Sequence, residues 1–218
     1  MIKNIIFDFD GVLVDSEILA AKAFSQYLSS NGFEFSEIEF ENFAGKKTIE
    51  VIDILSNRFN FQDKEKFYND VMKLTYNIYK NELTPVYGIL EYLKKCDKNL
   101  FIGSNSVKQR IIDGLKKVRL NKYFNESKIY SFDMVEKPKP FPDIYLKVIK
   151  ENLLNKKESI IIEDSVVGVK AGVAAEIKVI GLIAGGHWHA GRSKNELLNA
   201  GAYKVINNYA ELDEAIKI

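Results

Sequence analysis

Ile2-Lys3-Asn4-Ile5-Ile6-Phe7-Asp8-Phe9-Asp10-Gly11 is the stretch that decides the fold. Ile2 to Phe7, rich in β-branched and aromatic residues, reads as a strand that runs straight into two acids and a glycine. Alternation along an extended chain puts Asp8 and Asp10 on one side, at the carboxyl end of the strand. Doubly wound sheets bind their ligands at that end. Gly11 permits the sharp turn that exposes the pair. Standing alone, the two acids would be a solvated strand ending. They do not stand alone, because Ser159-Ile-Ile-Ile-Glu163-Asp164-Ser165 is a second buried strand delivering two acids to the same edge. Carboxylates this close repel, so they need a metal, a shared proton or full solvation. Four of them from two strand ends form a hard-oxygen site suited to Mg²⁺.

Further strands are expected at Leu100 to Gly103, Lys128 to Phe132, Lys178 to Ile183 and Lys204 to Ile206. Helical patterns alternate with them at Gly88 to Lys95, Val107 to Lys117, Asp143 to Glu151 and Val166 to Ala175. That alternation predicts an α/β, doubly wound, mostly parallel Rossmann-like sheet. Residues 16 to 83 break it, showing only helical stretches. Phe67, Val71, Leu74 and Ile78 fall on one helix face, opened by Asp63 as a cap; Ser16 opens an Ala-rich helix that Asn31-Gly32 closes. The expectation is an all-helical domain, 16–83, inserted after the first strand of a core made of 1–15 and 84–218.

With 31 basic and 30 acidic residues among 218, the net charge is +1, which argues against a whole-protein footprint for nucleic acid or anionic membrane. The longest apolar run, Val179 to Gly186, is strand-sized and too short to span a bilayer. Acids stand where a signal peptide needs its apolar stretch, so no removed or anchoring segment is expected. A single cysteine, Cys96, excludes an intrachain disulfide and makes a reducing cytoplasm the default; a half-buried structural thiol is the reading for Cys96 itself. The expected partner is a small molecule, and the expected state a monomer or weak homodimer.

Two more elements carry chemistry. Phe101-Ile-Gly-Ser104-Asn105-Ser106 delivers hydroxyl and amide groups ahead of a helix N-terminus, where backbone N–H groups can meet an anion. Lys137-Pro-Lys139-Pro-Phe-Pro142-Asp143 holds a lysine on a backbone stiffened by prolines, and its spacing to Pro142-Asp143 favours Lys139 over Lys137. Together, Asp8-x-Asp10-Gly-x-x-x-Asp15-Ser16, Ser104-Asn105, Lys139-Pro-x-Pro-Asp143 and Glu163-Asp164-Ser165-x-x-Gly168-Val169 resemble, in order, the motifs of the haloacid dehalogenase superfamily. The resemblance covers essentially the whole chain, and the helical insert looks like the small cap of the subclass containing β-phosphoglucomutase and phosphoglycolate phosphatase.

The resemblance implies a Mg²⁺-dependent phosphatase. Asp8 would be the nucleophile, Asp10 the general acid/base, and Ser104 and Lys139 the phosphoryl-binding groups. Asp8, Asp10 through its backbone carbonyl, and Asp164 would hold the metal, with Glu163 a direct or indirect partner. Gly11 and Asn105 would line the substrate, as would Gly45, Lys46 and Lys47 of the cap, which would suit a second anionic or polar group such as that of a sugar acid. Dehalogenases of the superfamily lack the second aspartate present here as Asp10. Phosphomutases share every core motif, but their pattern carries a histidine early in the first cap helix and an arginine in the cap loop. Asp15-Ser-Glu-Ile-Leu-Ala20-Ala21 and Phe43-Ala-Gly45-Lys46-Lys47-Thr48 carry neither. Phosphatase is therefore the expectation, with a β-phosphoglucomutase-like phosphomutase and a non-catalytic phosphate-binding regulatory module as alternatives. Gly185-Gly186-His187-Trp188-His189 is placed at the cleft rim without a metal role. Ala175-Glu176 stands where relatives have Ala-Gly, so that helix end is expected to differ locally.

Overall fold

The chain is described from a computed structural model covering residues 1–40, 43, 48–188 and 191–217. Strand β1 (Asn4–Phe7) is buried at all four positions, as its unbroken apolar run requires. After it the chain enters a compact helical unit, Ser16–Leu83, and then returns to complete a second unit made of Met1–Asp15 and Thr84–Ile218. The neck of that return is closed within the sheet unit. Asp15 N–H donates to the Thr84 carbonyl at 2.9 Å, Val86 N–H donates to the Leu13 carbonyl at 3.1 Å, and Val14 bridges Pro85.

The helical unit holds α1 (Glu17–Ser30), α2 (Glu37–Phe40), α3 (Thr48–Phe59) and α4 (Lys64–Glu82). Its core is aromatic and aliphatic: Phe24, Leu28, Ile52, Leu55, Phe67 and Val71 are buried together, and Tyr27 stacks on Phe67 with centroids 4.9 Å apart. Asp63 caps α4, its carboxylate accepting from Lys66 N–H at 2.8 Å. Gly32, at φ +83°, closes α1. Ser16 occupies the cap position of α1 but contributes no side-chain capping bond, because its backbone is already helical at φ −97°, ψ −23°.

The sheet unit adds α5 (Ile89–Lys95), β2 (Asn99–Ser104), α6 (Lys108–Lys117), β3 (Ile129–Ser131), α7 (Asp143–Glu151), β4 (Ser159–Glu163), α8 (Val166–Ala174), β5 (Lys178–Leu182), α9 (Asn195–Asn199), β6 (Lys204–Ile206) and α10 (Leu212–Ala215). All strands run parallel, in the order β3-β2-β1-β4-β5-β6. The doubly wound sheet expected from the alternation is what forms. Short helices α9 and α10 were not legible, each being less than two turns long. Register positions the chemistry: Phe7 pairs with Ile102 on one side and Ile162 on the other, so β1, β2 and β4 end side by side. Chain order reverses direction at β1, which opens a crevice at the carboxyl ends of β1 and β4. No helix among the described residues is long and apolar enough to cross a membrane. Cys96 is half-buried beside the Tyr92 hydroxyl, 3.6 Å away.

The end of α8 corrects one expectation. Glu176 adopts φ +60°, the left-handed geometry a glycine would take, and the terminal bonds form around it. Ile177 N–H donates to Gly172 O at 3.1 Å and Glu176 N–H to Val173 O at 2.9 Å. The backbone ending is therefore retained without glycine, and the β-carbon bears the strain. Glu176→Gly should stabilise the protein by roughly 0.5–1 kcal/mol, the left-handed penalty less the extra freedom of glycine in the unfolded chain. Urea unfolding of the two proteins checks this.

Candidate active site

Asp8 follows β1 by one residue and is fixed by an extension of the sheet, its N–H donating to the Ile162 carbonyl at 2.9 Å. Beyond it the chain folds into a tight loop, with Gly11 N–H donating to Val14 O at 2.8 Å. Gly11 sits at φ +73°, and a β-carbon there would stand 1.8 Å from Asp164 Oδ2. Only glycine lets the loop after β1 lie directly against the acid after β4. Its role is close approach between the two strand ends.

Lys139 is buried to 6% exposure and spans the crevice. Its Nζ donates to Asp8 Oδ1 at 2.5 Å and to Glu163 Oε1 at 2.6 Å. Asn105 holds the lysine from behind: its Oδ1 accepts from Lys139 N–H at 2.9 Å and its Nδ2 donates to Lys139 O at 3.2 Å. Both amide atoms expected to face substrate are thus engaged with the Lys139 backbone, and Asn105 positions that lysine. Lys137 is exposed, with its Nζ 5.3 Å from the Phe141 ring centroid.

Glu163 is fully buried. Its Oε1 accepts from Lys139 Nζ and from the Tyr145 hydroxyl at 2.8 Å. Its Oε2 accepts from Asp164 N–H, Ser165 N–H and Ser165 Oγ at 3.1, 3.2 and 3.0 Å. Ser165 Oγ in turn caps α8 by accepting from Gly168 N–H at 3.0 Å. The lone pairs of Glu163 are thus engaged by protein donors, Lys139 and the turn to Asp164 among them. Of the two expected roles, direct or indirect metal partner, this bonding favours the indirect one. A β-carbon at Gly168 would lie 1.6 Å from Glu163 Oε1, so glycine makes room for the carboxylate.

Asp8, Glu163 and Asp164 bring one carboxylate oxygen each to within 4.8 Å of the others. Burial pushes the Asp8 carboxyl well above its ordinary range; Lys139 opposes the shift, while Glu163, Asp164 and Asp10 add to it. Burial likewise raises Asp164, reinforced by Glu163 and opposed by Lys139 and Arg192. For Lys139, burial favours the neutral amine, but Asp8 and Glu163 outweigh it and hold the ammonium well above its usual range. Asp8 and Glu163 thus share one ammonium, which also acts on Asp164 alongside Arg192. The crowding of buried carboxyl groups and their hard-oxygen donors suit a divalent cation such as Mg²⁺, which Asp8 and Asp164 would hold.

Asp10 stands outside that cluster, with its side chain bonded to residues that follow β2. Its Oδ2 accepts from Ser106 Oγ at 2.5 Å and Arg110 Nη1 at 2.9 Å, and its Oδ1 lies 2.8 Å from Arg110 Nη2. Ser104 is buried at the end of β2, its Oγ accepting from Ser106 N–H at 3.0 Å. His187 lies against the site, with Nε2 2.9 Å from Asp164 Oδ2, and Gly186 N–H donates to Asp15 Oδ1 at 2.9 Å. The loop assigned to the cleft rim therefore touches the acid itself. Gly45, Lys46, Lys47 and His189 lie outside the described residues. Sequence reasoning missed Arg110 and Tyr145. The spacing of Ser106 and Arg110, four apart into α6, was the available signal for the first; Tyr145 offered none, being an ordinary buried position of α7.

A parallel doubly wound sheet that gathers buried acids and one lysine at its switch point defines a hydrolase-type site suited to an anionic substrate. Residues 5–182 match the family model for haloacid dehalogenase-like hydrolases, and the chain belongs to that family. It is an enzyme, a hydrolase. It is 28% identical over 210 residues, 94% of each chain, to the phosphorylated carbohydrates phosphatase of Thermotoga maritima. It is 27% identical over 192 residues, 85% of each chain, to the 6-phosphogluconate phosphatase of Escherichia coli. Among solved structures, a HAD family hydrolase from Deinococcus radiodurans with bound phosphate and sodium gives a TM-score of 0.86 at 29% identity, covering 99% of this chain and 95% of that one.

Gly168→Ala should destabilise the fold by about 1–3 kcal/mol, since the new methyl overlaps a carboxylate that its donors hold in place. Urea unfolding measures it; an unchanged midpoint would mean that Glu163 is free to move.

Proposed function

We propose that the protein is a Mg²⁺-dependent phosphomonoester hydrolase of a small phosphorylated sugar or sugar acid. The observation that carries this reading is Lys139, whose ammonium stands 2.5 Å from Asp8 Oδ1 and 2.6 Å from Glu163 Oε1 at the sheet's switch point. A nucleophilic carboxylate and a fixed positive charge are then one hydrogen bond apart, as attack on a phosphoryl group requires. The names of the two relatives, a phosphorylated carbohydrates phosphatase and a 6-phosphogluconate phosphatase, support the substrate class. The phosphate bound by the Deinococcus relative supports an anion site.

In this reading the Asp8 carboxylate attacks phosphorus, forming an acyl-phosphate O–P bond as the P–O bond to the substrate alcohol breaks. Asp10 gives its proton to the departing alkoxide. Water then attacks the phosphorus of the aspartyl-phosphate and Asp10 takes its proton, so that the O–P bond to Asp8 breaks and inorganic phosphate leaves. Throughout, Lys139 stays protonated and offsets phosphoryl charge, while Ser104 and the N–H groups ahead of α6 receive phosphoryl oxygens. Asp8, Asp164 and the backbone carbonyl of Asp10 would hold Mg²⁺, which when bound lets an anionic carboxylate approach an anionic phosphate.

Phosphate release should be measured over a panel of sugar phosphates, sugar-acid phosphates, phosphoglycolate and nucleotides, with and without Mg²⁺. Metal-dependent release favouring a sugar or sugar-acid ester is expected; no release from folded, metal-binding protein would overturn hydrolysis in favour of phosphoryl isomerisation. Asp8→Asn should abolish turnover while the protein stays folded, and persisting metal-dependent activity would remove Asp8 from the nucleophile role. Mg²⁺ at a hundred times its dissociation constant should raise stability by about 2.7 kcal/mol. Asp164→Asn should lose most of that gain in a thermal melt.

A further inference from the structure

We infer that Arg110 is the positioning residue of the acid/base step, fixing the plane of the Asp10 carboxyl group through which a proton passes to the leaving alcohol and is regained from the attacking water. The inference rests on the reading of Asp10 as that acid.

Arg110 grips Asp10 with two prongs, Nη1 to Oδ2 at 2.9 Å and Nη2 to Oδ1 at 2.8 Å. A guanidinium fork bound this way sets the plane of the carboxylate as well as its position. Ser106 joins it, donating to Asp10 Oδ2 at 2.5 Å and contacting Arg110 Nη1 through the same Oγ. The clamp reaches across the end of the sheet, from α6 after β2 to the loop after β1.

Two features describe the setting of this arginine. The pair is partly open, with 39% of the Arg110 side chain and 17% of the Asp10 side chain exposed, so solvent reaches it. Arg110 also stands in the first turn of α6, which contains no acid, and a cation there opposes the helix dipole. Lys108 is a second cation in that turn, and Arg110 is the one bonded to Asp10.

The test compares kcat/KM, which reports phosphoryl transfer to Asp8 and loss of the alcohol, for benzyl phosphate and 4-nitrophenyl phosphate. The two esters are similar in shape, but nitrophenolate leaves without needing a proton and the benzyl alkoxide does not. Arg110→Ala should lose about 10²-fold on benzyl phosphate, the cost of a misplaced acid, and only a few-fold on 4-nitrophenyl phosphate. Arg110→Lys, which keeps the charge without the fork, should recover a minor part of the benzyl rate and guards against misfolding of the alanine variant. Equal losses on both esters, no loss on either, or full rescue by lysine would each overturn the inference. Asp10→Asn separates the two layers. If it discriminates between the esters and Arg110→Ala does not, the inference alone fails; if it does not discriminate, the acid role of Asp10 fails as well.

Discussion

A single buried ammonium holds together two strand ends that would otherwise repel. Lys139 sits between Asp8 and Glu163, and without it the low-dielectric crevice would contain carboxylates with no counter-charge. Because the ammonium is shared, each partner's geometry depends on the other's. Asp8 is aligned by the sheet, and Glu163 by Tyr145, the Asp164–Ser165 turn and the room left by Gly168. Asn105 holds the lysine backbone so that its long stem does not choose between the two acids. The cost in electrostatic free energy is substantial, and it leaves the site poised to take up further positive charge.

The two acids of each strand end are divided by task. Asp8 and Asp164 lie close together against the loop at Gly11, whereas Glu163 is satisfied inside the protein and Asp10 is held by Arg110 and Ser106. What looks from composition like four equivalent carboxylates is one pair facing the crevice, one internal anchor and one side chain clamped apart. Chemically distinct roles become possible because burial and partners differ at each position.

Most of the sheet could be read from the chain because its information is local. Apolar runs such as Ile160 to Ile162 announce buried strands, and an acid or small polar residue after each announces the ligand edge. Contacts between distant segments could not be read this way. Arg110 meets Asp10 across a hundred positions, and although its spacing from Ser106 marks it, nothing nearby identifies Asp10 as its partner. Asn105 looked like a ligand-facing amide for the same reason, since its partner is the backbone of a residue on another loop. Glu176 shows a different limit: tertiary packing fixes a left-handed helix ending that composition alone assigns to glycine.

The neck formed by the Asp15–Thr84 and Leu13–Val86 hydrogen bonds also bears on how such an enzyme can change. To the sheet, the segment between those points is a closed loop whose ends are already joined, and loop-closure cost grows only with the logarithm of length. The inserted segment could therefore be lengthened, shortened or exchanged at a small entropic cost, with β1 and its acids left in register. A catalytic framework joined to the rest of the chain through so narrow a neck can stay constant while the material beyond the neck diversifies.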